Sequence, residues 1–109
     1  MATTYKVLGQ SAPSATTATT LYTVPSATEA VISTIVVANR AAAAKTYRIA
    51  IRPNGDTLAN QHYVAYDVPL AANDSIALTL GITVDATDVI TVYASSADLT
   101  FTAFGSEIA

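Results

Sequence analysis

Residues 29–39 read Glu-Ala-Val-Ile-Ser-Thr-Ile-Val-Val-Ala-Asn, and this stretch decides the fold. Val31, Ile32, Thr34, Ile35, Val36 and Val37 are branched at Cβ, which stiffens χ1 and suits a pleated strand better than a helix. Strict alternation places Ala30, Ile32, Thr34, Val36 and Ala38 on one face and Val31, Ser33, Ile35, Val37 and Asn39 on the other. No charge interrupts either face between Glu29 and Arg40. Such a strand needs cover on both sides. It is therefore expected at the centre of a sheet, with one face in the domain core and the other against a neighbour or a second layer.

Upstream of this strand, residues 21–24 make a short strand stopped by Pro25, and Pro25-Ser26-Ala27-Thr28 turns the chain into residues 29–39. Residues 5–10 alternate weakly and are expected as a peripheral first strand. Residues 11–20 are Ser, Ala and Thr with Pro13, a composition suited to a loop reaching over a neighbouring subunit, so residues 1–20 are expected to form a peripheral arm. Downstream, Ala41-Ala42-Ala43-Ala44 has helical propensity, but so short a run between two β patterns is expected as a loop or a single turn.

Residues 45–52 alternate most cleanly, with Tyr47, Ile49 and Ile51 inward and Thr46, Arg48, Ala50 and Arg52 outward, and Pro53-Asn54-Gly55-Asp56 reverses the chain. In residues 62–70, alternation puts His62, Val64, Tyr66, Val68 and Leu70 on one face and Tyr63, Ala65 and Asp67 on the other, and Pro69 marks an end or an edge. A turn then leads into residues 75–82, with Ile76, Leu78, Leu80 and Ile82 inward. Asn73-Asp74-Ser75 has the form of a glycosylation acceptor but is read as part of that turn. Residues 89–94 and 99–104 close the pattern as a hairpin around Ser95-Ser96-Ala97-Asp98, with Leu99, Phe101 and Ala103 on one side. Seven or eight short strands at regular spacing predict an all-β fold, a single-domain antiparallel β-sandwich over residues 1–109, of either jelly-roll or immunoglobulin-like topology.

Composition sets the range of functions. A chain of 109 residues buries roughly two thirds of the surface its unfolded form exposes and needs neither a disulfide nor a metal to hold it. It has no Cys, hence no thiolate nucleophile and no Cys-based zinc site. With a net charge of −3 and only five Lys and Arg residues, it is poorly equipped to bind nucleic acid. The apolar run of residues 30–38 is about half the length that spans a bilayer, and it contains Ser33 and Thr34, so no membrane partner is expected. The first residues lack the charged and apolar regions of a signal peptide, and the encoded chain is expected to be the mature one. Charged residues make up 12% of the chain where about 25% is usual, and the mean hydropathy is +0.40. Much of the surface is therefore Ala, Thr, Ser and Asn, and part of it is expected to be covered in an assembly. The alternative is a monomer with a neutral skin.

Reactive constellations are sparse. His62 is the single histidine, so a His cluster is excluded; no Gly-x-Ser-x-Gly elbow accompanies it, and it is read as a packed or interfacial imidazole rather than a catalytic base. Asp85, Asp88 and Asp98 would bind calcium only if two loops met at one end of the sandwich, and loop aspartates more often bond their own backbone. The glycines, Gly9, Gly55, Gly81 and Gly105, are scattered and form no phosphate loop. No catalytic residue, cofactor or metal is assigned. Tyr63 and Tyr66 fall on opposite faces of one strand, so at least one leaves the core, and tyrosine suits a partly wet contact. Together with Val31, Ile35 and Val37 they are the candidate subunit or partner contacts.

The phrases Leu21-Tyr22-Thr23-Val24-Pro25, residues 31–39, Tyr47-Arg48-Ile49-Ala50-Ile51-Arg52-Pro53, Tyr63-Val64-Ala65-Tyr66-Asp67 and Phe104-Gly105-Ser106-Glu107-Ile108 extend over nearly the whole chain. Taken together they resemble small virion structural proteins of tailed bacteriophages, including phages of cyanobacteria and marine bacteria. The resemblance implies a non-enzymatic virion component assembled in the host cytoplasm, a capsid decoration or cement protein, or else a tail, neck or fibre component. Its implied partners are the major capsid or tail proteins and further copies of itself, with a trimer expected from virion architecture. A strand edge or residues 11–20 would join subunits by β-addition. A carbohydrate-binding module for host attachment, using Tyr63, Tyr66 and Tyr93, is the competing reading, weakened by the absence of Trp.

Overall fold

The computed structural model describes residues 2–109 and consists of strands joined by turns and two single 3-10 turns. The strands are β1 (Thr3–Ser11), β2 (Thr19–Thr23), β3 (Glu29–Asn39), β4 (Lys45–Arg52), β5 (Tyr63–Leu70), β6 (Ser75–Leu78), β7 (Ile82–Val84), β8 (Val89–Ala94) and β9 (Leu99–Ile108). One sheet has the order β1-β9-β3-β6, with β7 also on β3, and the facing sheet has the order β2-β8-β4-β5. All pairings are antiparallel.

This order separates the two sandwich topologies that the pattern leaves open. β6 and β7 lie end to end along β3, so they act as one interrupted strand. Strands from the two ends of the chain then pair with each other: β1 with β9, β2 with β8, β3 with β6 and β7, and β4 with β5. That is one long hairpin rolled into two layers, the jelly-roll arrangement, whereas an immunoglobulin-like sandwich is built from hairpins of consecutive strands. The break at residues 79–81 corrects the expected continuous strand over residues 75–82. Gly81 has φ of +59° there, and Leu80, expected inward, is exposed.

β3 has the predicted bounds and is paired on both sides, but its faces are not the predicted ones. The register runs Ile32 opposite Gly105 and Thr34 opposite Phe104, leaving Ser33 as an extra residue whose hydroxyl donates to the Phe104 carbonyl at 3.0 Å. This bulge reverses the phase of alternation. The core face is therefore Ala30, Ile32, Ile35, Val37 and Asn39. Gly105 is needed at this level, because a Cβ there would lie 1.9 Å from the Val31 carbonyl oxygen. β1 carries its own bulge between Val7 and Gly9 against the same part of β9, and a Cβ at Gly9 would lie 2.1 Å from the Leu21 carbonyl oxygen. β1 thus approaches β2 of the facing layer closely at a glycine.

Between the layers, Ile32, Ile35, Val37, Ile49, Ile90, Val92, Leu99 and Phe101 have no exposed surface. Burial of each such side chain is worth about 1.5–3 kcal/mol relative to exposure. The rings of Tyr47 and Phe101 meet edge to face at 6.3 Å across the layers. Burial pushes the Tyr47 hydroxyl above its ordinary pKa. One polar side chain ties the end of this core together. Buried Asn39 donates from Nδ2 to the carbonyls of Ala43, Leu70 and Ala71 at 2.9, 3.1 and 3.1 Å, and its Oδ1 accepts the Ala41 amide at 2.9 Å. The four-alanine stretch is a loop held on this side chain.

Residues 2–20 do not extend away from the sandwich as an arm. Residues 3–11 pair with β9 as an edge strand, and the connection to β2 is drawn onto its own chain, with Pro13 buried and the Thr16 amide donating to the Ala94 carbonyl at 2.8 Å. Met1 lies outside the described residues.

Candidate interaction surfaces

The two outer faces of the sandwich differ in kind. On the β2-β8-β4-β5 sheet, Arg48 of β4 stands opposite Tyr93 of β8. On the other side of Arg48, the register steps from Tyr47 opposite Val68 to Ile49 opposite Ala65, so Tyr66 and Asp67 together face the single Arg48. Asp67 adopts φ of 50°, a left-handed conformation that Asp tolerates. The bulge turns both side chains outward. The Arg48 guanidinium lies 4.2 Å from the Tyr66 ring centre and 4.3 Å from that of Tyr93, and its Nε and Nη2 donate to the Asp67 carboxylate at 2.6 and 3.3 Å. The Asp67 carboxylate raises the Arg48 pKa, and Arg48 in turn holds the Asp67 carboxyl below the usual carboxylate range.

A second shift in the register, at Val64, brings Tyr63 out beside Tyr66. Their rings meet edge to face at 4.9 Å, and with Asn60 they line a shallow open pocket. Alternation had put these tyrosines on opposite faces; the two bulges put them on one. Ala65, Val68 and Leu70 are the residues of β5 that pack on the core. The rest of this outer face is closed by the β4–β5 connection. Arg52 reaches from β4 to the carbonyls of Asp56 and Gly55 at 2.6 and 3.1 Å and to the Thr91 hydroxyl at 3.3 Å, and Ala50 and Thr91 are buried beneath. His62 is also buried here, its Nδ1 accepting the Ala59 amide at 3.0 Å. Asp67 and Asp74, which follow it in sequence, are engaged elsewhere, Asp67 with Arg48 and Asp74 with the Ser75 amide.

The outer face of the β1-β9-β3-β6 sheet is open. β9 alternates without interruption, directing Thr100, Thr102, Phe104 and Ser106 outward, and the register sets Val7 and Thr34 beside Phe104 and Tyr5 and Val31 beside Ser106. Tyr5 is 83% exposed, Val7 53% and Phe104 36%. These residues, together with Lys6, border an open groove running over Ser33 and Gly105. Among the described residues, the register places only one charge on this face, Glu29 at its end. Lys6 belongs to the inward row, where its ammonium pairs with Glu107 at 2.8 Å. Glu107 also accepts the Tyr22 hydroxyl at 2.5 Å, closing the rim of the core. Lys6, and after it Tyr22, holds the Glu107 carboxyl below its ordinary range, while burial and then Glu107 push the Tyr22 hydroxyl up.

The proposed contact residues therefore divide. Val31, Tyr63 and Tyr66 present surface, Val31 on one sheet and the tyrosines on the other. Ile35 and Val37 do not: both are fully buried between the layers, because the Ser33 bulge turned the face that carries them inward. Tyr5, Val7 and Phe104 were missed. The signal for them lay in residues 99–108, where a Thr and Ser alternation is broken outward by a single Phe.

The three candidate calcium ligands do not converge. Asp85 and Asp88 precede β8 and Asp98 follows it, so six residues of strand, about 20 Å, separate them. Asp88 accepts the amides of Asn54 and Asp85, both at 2.8 Å, and Asp98 accepts the Ser96 hydroxyl at 3.2 Å. No known family model matches the chain, and no curated protein sequence matches it at a significant level.

Proposed function

We propose that the protein is a non-enzymatic structural component of a tailed-phage virion, which works by packing a sheet face against other virion proteins. The observation that carries this reading is the outer face of the β1-β9-β3-β6 sheet, which bears exposed Tyr5, Val7 and Phe104, with Glu29 at one end and Lys6 beside the groove. Contiguous apolar surface rimmed by polar groups marks a place where another macromolecule sits. The jelly roll is an architecture used in viral capsid and lectin domains, so it is compatible with the role without assigning it. The sequence phrases that resemble virion proteins supply the compartment, and capsid decoration is favoured over tail, neck or fibre because a broad rigid face suits many repeated modest contacts. Mass spectrometry of purified particles of the phage whose genome encodes the chain tests this. The expected result is the protein in many copies per particle, and its absence from the particle would overturn the reading.

One observation favours a second role, attachment to host glycans. Tyr63 and Tyr66 form an exposed aromatic corner beside the Asn60 amide and the Arg48–Asp67 pair, the mixture of ring surface and planar polar groups that binds sugars. Calorimetric titration with host polysaccharide is the test: heat lost in Tyr66→Ala supports it, and no binding at millimolar sugar removes it.

A further inference from the structure

Resting on the second role proposed above, attachment to host glycans, we infer that the pocket of Asn60, Tyr63 and Tyr66 takes a single uncharged sugar residue, a chain end or a branch, and neither an acidic sugar nor an extended run of polysaccharide.

The corner is assembled at a cost. Two bulges fall within the eight residues of β5; they bring Tyr63 and Tyr66 to one face and leave Asp67 at φ of 50°. Bulges re-aim side chains beside binding sites, and a non-glycine residue in the left-handed region persists only where surrounding contacts hold it. Here those contacts come from Arg48, which donates twice to Asp67 and lies against the rings of Tyr66 and Tyr93.

Charge sets the kind of sugar. The three lining residues are uncharged at neutral pH, and the ion pair beside them sums to zero. A uronic, sialic or sulfated residue would find no uncompensated cation at this corner, and the net charge of −3 on the chain opposes the approach of a polyanion. The hydroxyls of a neutral sugar, in contrast, match the Asn60 amide and the tyrosine hydroxyls, which both donate and accept.

Ring geometry sets how much of the glycan is held. The Tyr63 and Tyr66 rings stand at 84° to each other with centres 4.9 Å apart, and Arg48 lies over Tyr66 and takes up Tyr93. A polysaccharide lying along a surface is met by coplanar rings under successive residues, whereas perpendicular rings give one face for the C–H side of a pyranose and one wall beside it. The pocket measures about 380 Å³, at the small end of the range of about 300–1,000 Å³ for ligand sites, so it suits one residue and not several. A contact of this size binds with millimolar affinity, which becomes attachment when repeated over the copies on a particle.

Nuclear magnetic resonance titration of the isotope-labelled full chain tests the inference. The probes are neutral methyl glycosides (glucose, galactose, mannose, rhamnose, N-acetylglucosamine), the acidic glucuronic and N-acetylneuraminic acids, dextran sulfate, and intact host polysaccharide. A neutral methyl glycoside is expected to shift the amides of Asn60, Tyr63 and Tyr66, with an affinity unchanged by about 0.5 M salt. A linear trimer of the same sugar is expected to bind at most about threefold more tightly, the statistical gain from three equivalent residues. Tyr66→Ala is expected to weaken binding at least about fivefold, and Asn60→Ala, at an exposed position outside the strands, does the same if the first variant does not fold. Tighter binding of the acidic probes, binding weakened by salt, a larger gain in the trimer, or a response to host polysaccharide but to no neutral monosaccharide would overturn this inference and leave the glycan role standing. No shift with any saccharide at millimolar concentration would remove the glycan role as well.

Discussion

Replacing Asn39 tests whether the end of the sandwich is held by one polar side chain. Asn39→Ala removes a buried amide that meets three carbonyls and one N–H. The amide has two protons to share among the three carbonyls, so about three effective bonds are lost. Each is worth about 1 kcal/mol net, giving a total of about 2–4 kcal/mol. For a chain of 109 residues the unfolding entropy is about 0.23 kcal/mol per kelvin, so Tm is expected to fall by about 9–17 °C in a circular dichroism melt. Asn39→Asp sharpens the test. It keeps the shape but points a carboxylate at the carbonyls of Ala43, Leu70 and Ala71, so at neutral pH it is expected to be at least as damaging as Ala. Burial and those carbonyls raise the folded-state pKa of the new carboxyl. Its protonated form therefore suits the fold, and the deficit relative to wild type, compared at each pH, shrinks as the solution is acidified. An Asn39→Asp protein within about 0.5 kcal/mol of wild type at pH 7, or with a pH-independent deficit, would refute the argument.

Two further tests concern backbone and charge. Gly105→Ala sets a Cβ 1.9 Å from the Val31 carbonyl oxygen and is expected to cost at least about 3 kcal/mol in urea unfolding, whereas Gly81→Ala has open space around it and bears only the strain of φ +59°, about 1–2 kcal/mol; equal costs would mean that the bulge is not tight. The folded-state pKa values of Glu107 and Asp67 are lowered by Lys6 and Arg48 respectively, so their stabilisation is present above the ordinary carboxylate range and is lost as pH falls through it; Lys6→Met is expected to flatten the acid limb of the Tm profile. The Tyr22 and Tyr47 hydroxyls are raised mainly by burial, so their contribution is complete below about pH 10 and lost above it, and Tyr47→Phe is expected to reduce the alkaline loss.

The molecule joins a sheet face covered by Arg48, Arg52 and the β4–β5 connection to an open one whose charges are Glu29 at its end and Lys6 beside its groove. Bulges do most of the positioning. At Ser33 and in β1 they shape the groove over Gly105, and in β5 they gather Tyr63, Tyr66 and Asp67 around Arg48.

Strand positions were legible in the sequence because β-branched runs and turn residues act locally. The bounds of β3 and β4 follow from residues 29–39 and 45–52, and the inward row Leu99, Phe101 and Ala103 follows from simple alternation in a strand without a bulge. What alternation could not supply was phase across a bulge. An extra residue such as Ser33 is defined by the partner strand, and nothing in a single strand's own pattern marks it. For that reason Ile35 and Val37 look like surface candidates in the sequence and lie in the core, while Tyr63 and Tyr66, three residues apart, share a face. The pairing of chain ends that makes a jelly roll, and with it the open face bearing Tyr5, Val7 and Phe104, depends on contacts between residues as distant as Thr3 and Ile108, which only the tertiary structure brings together.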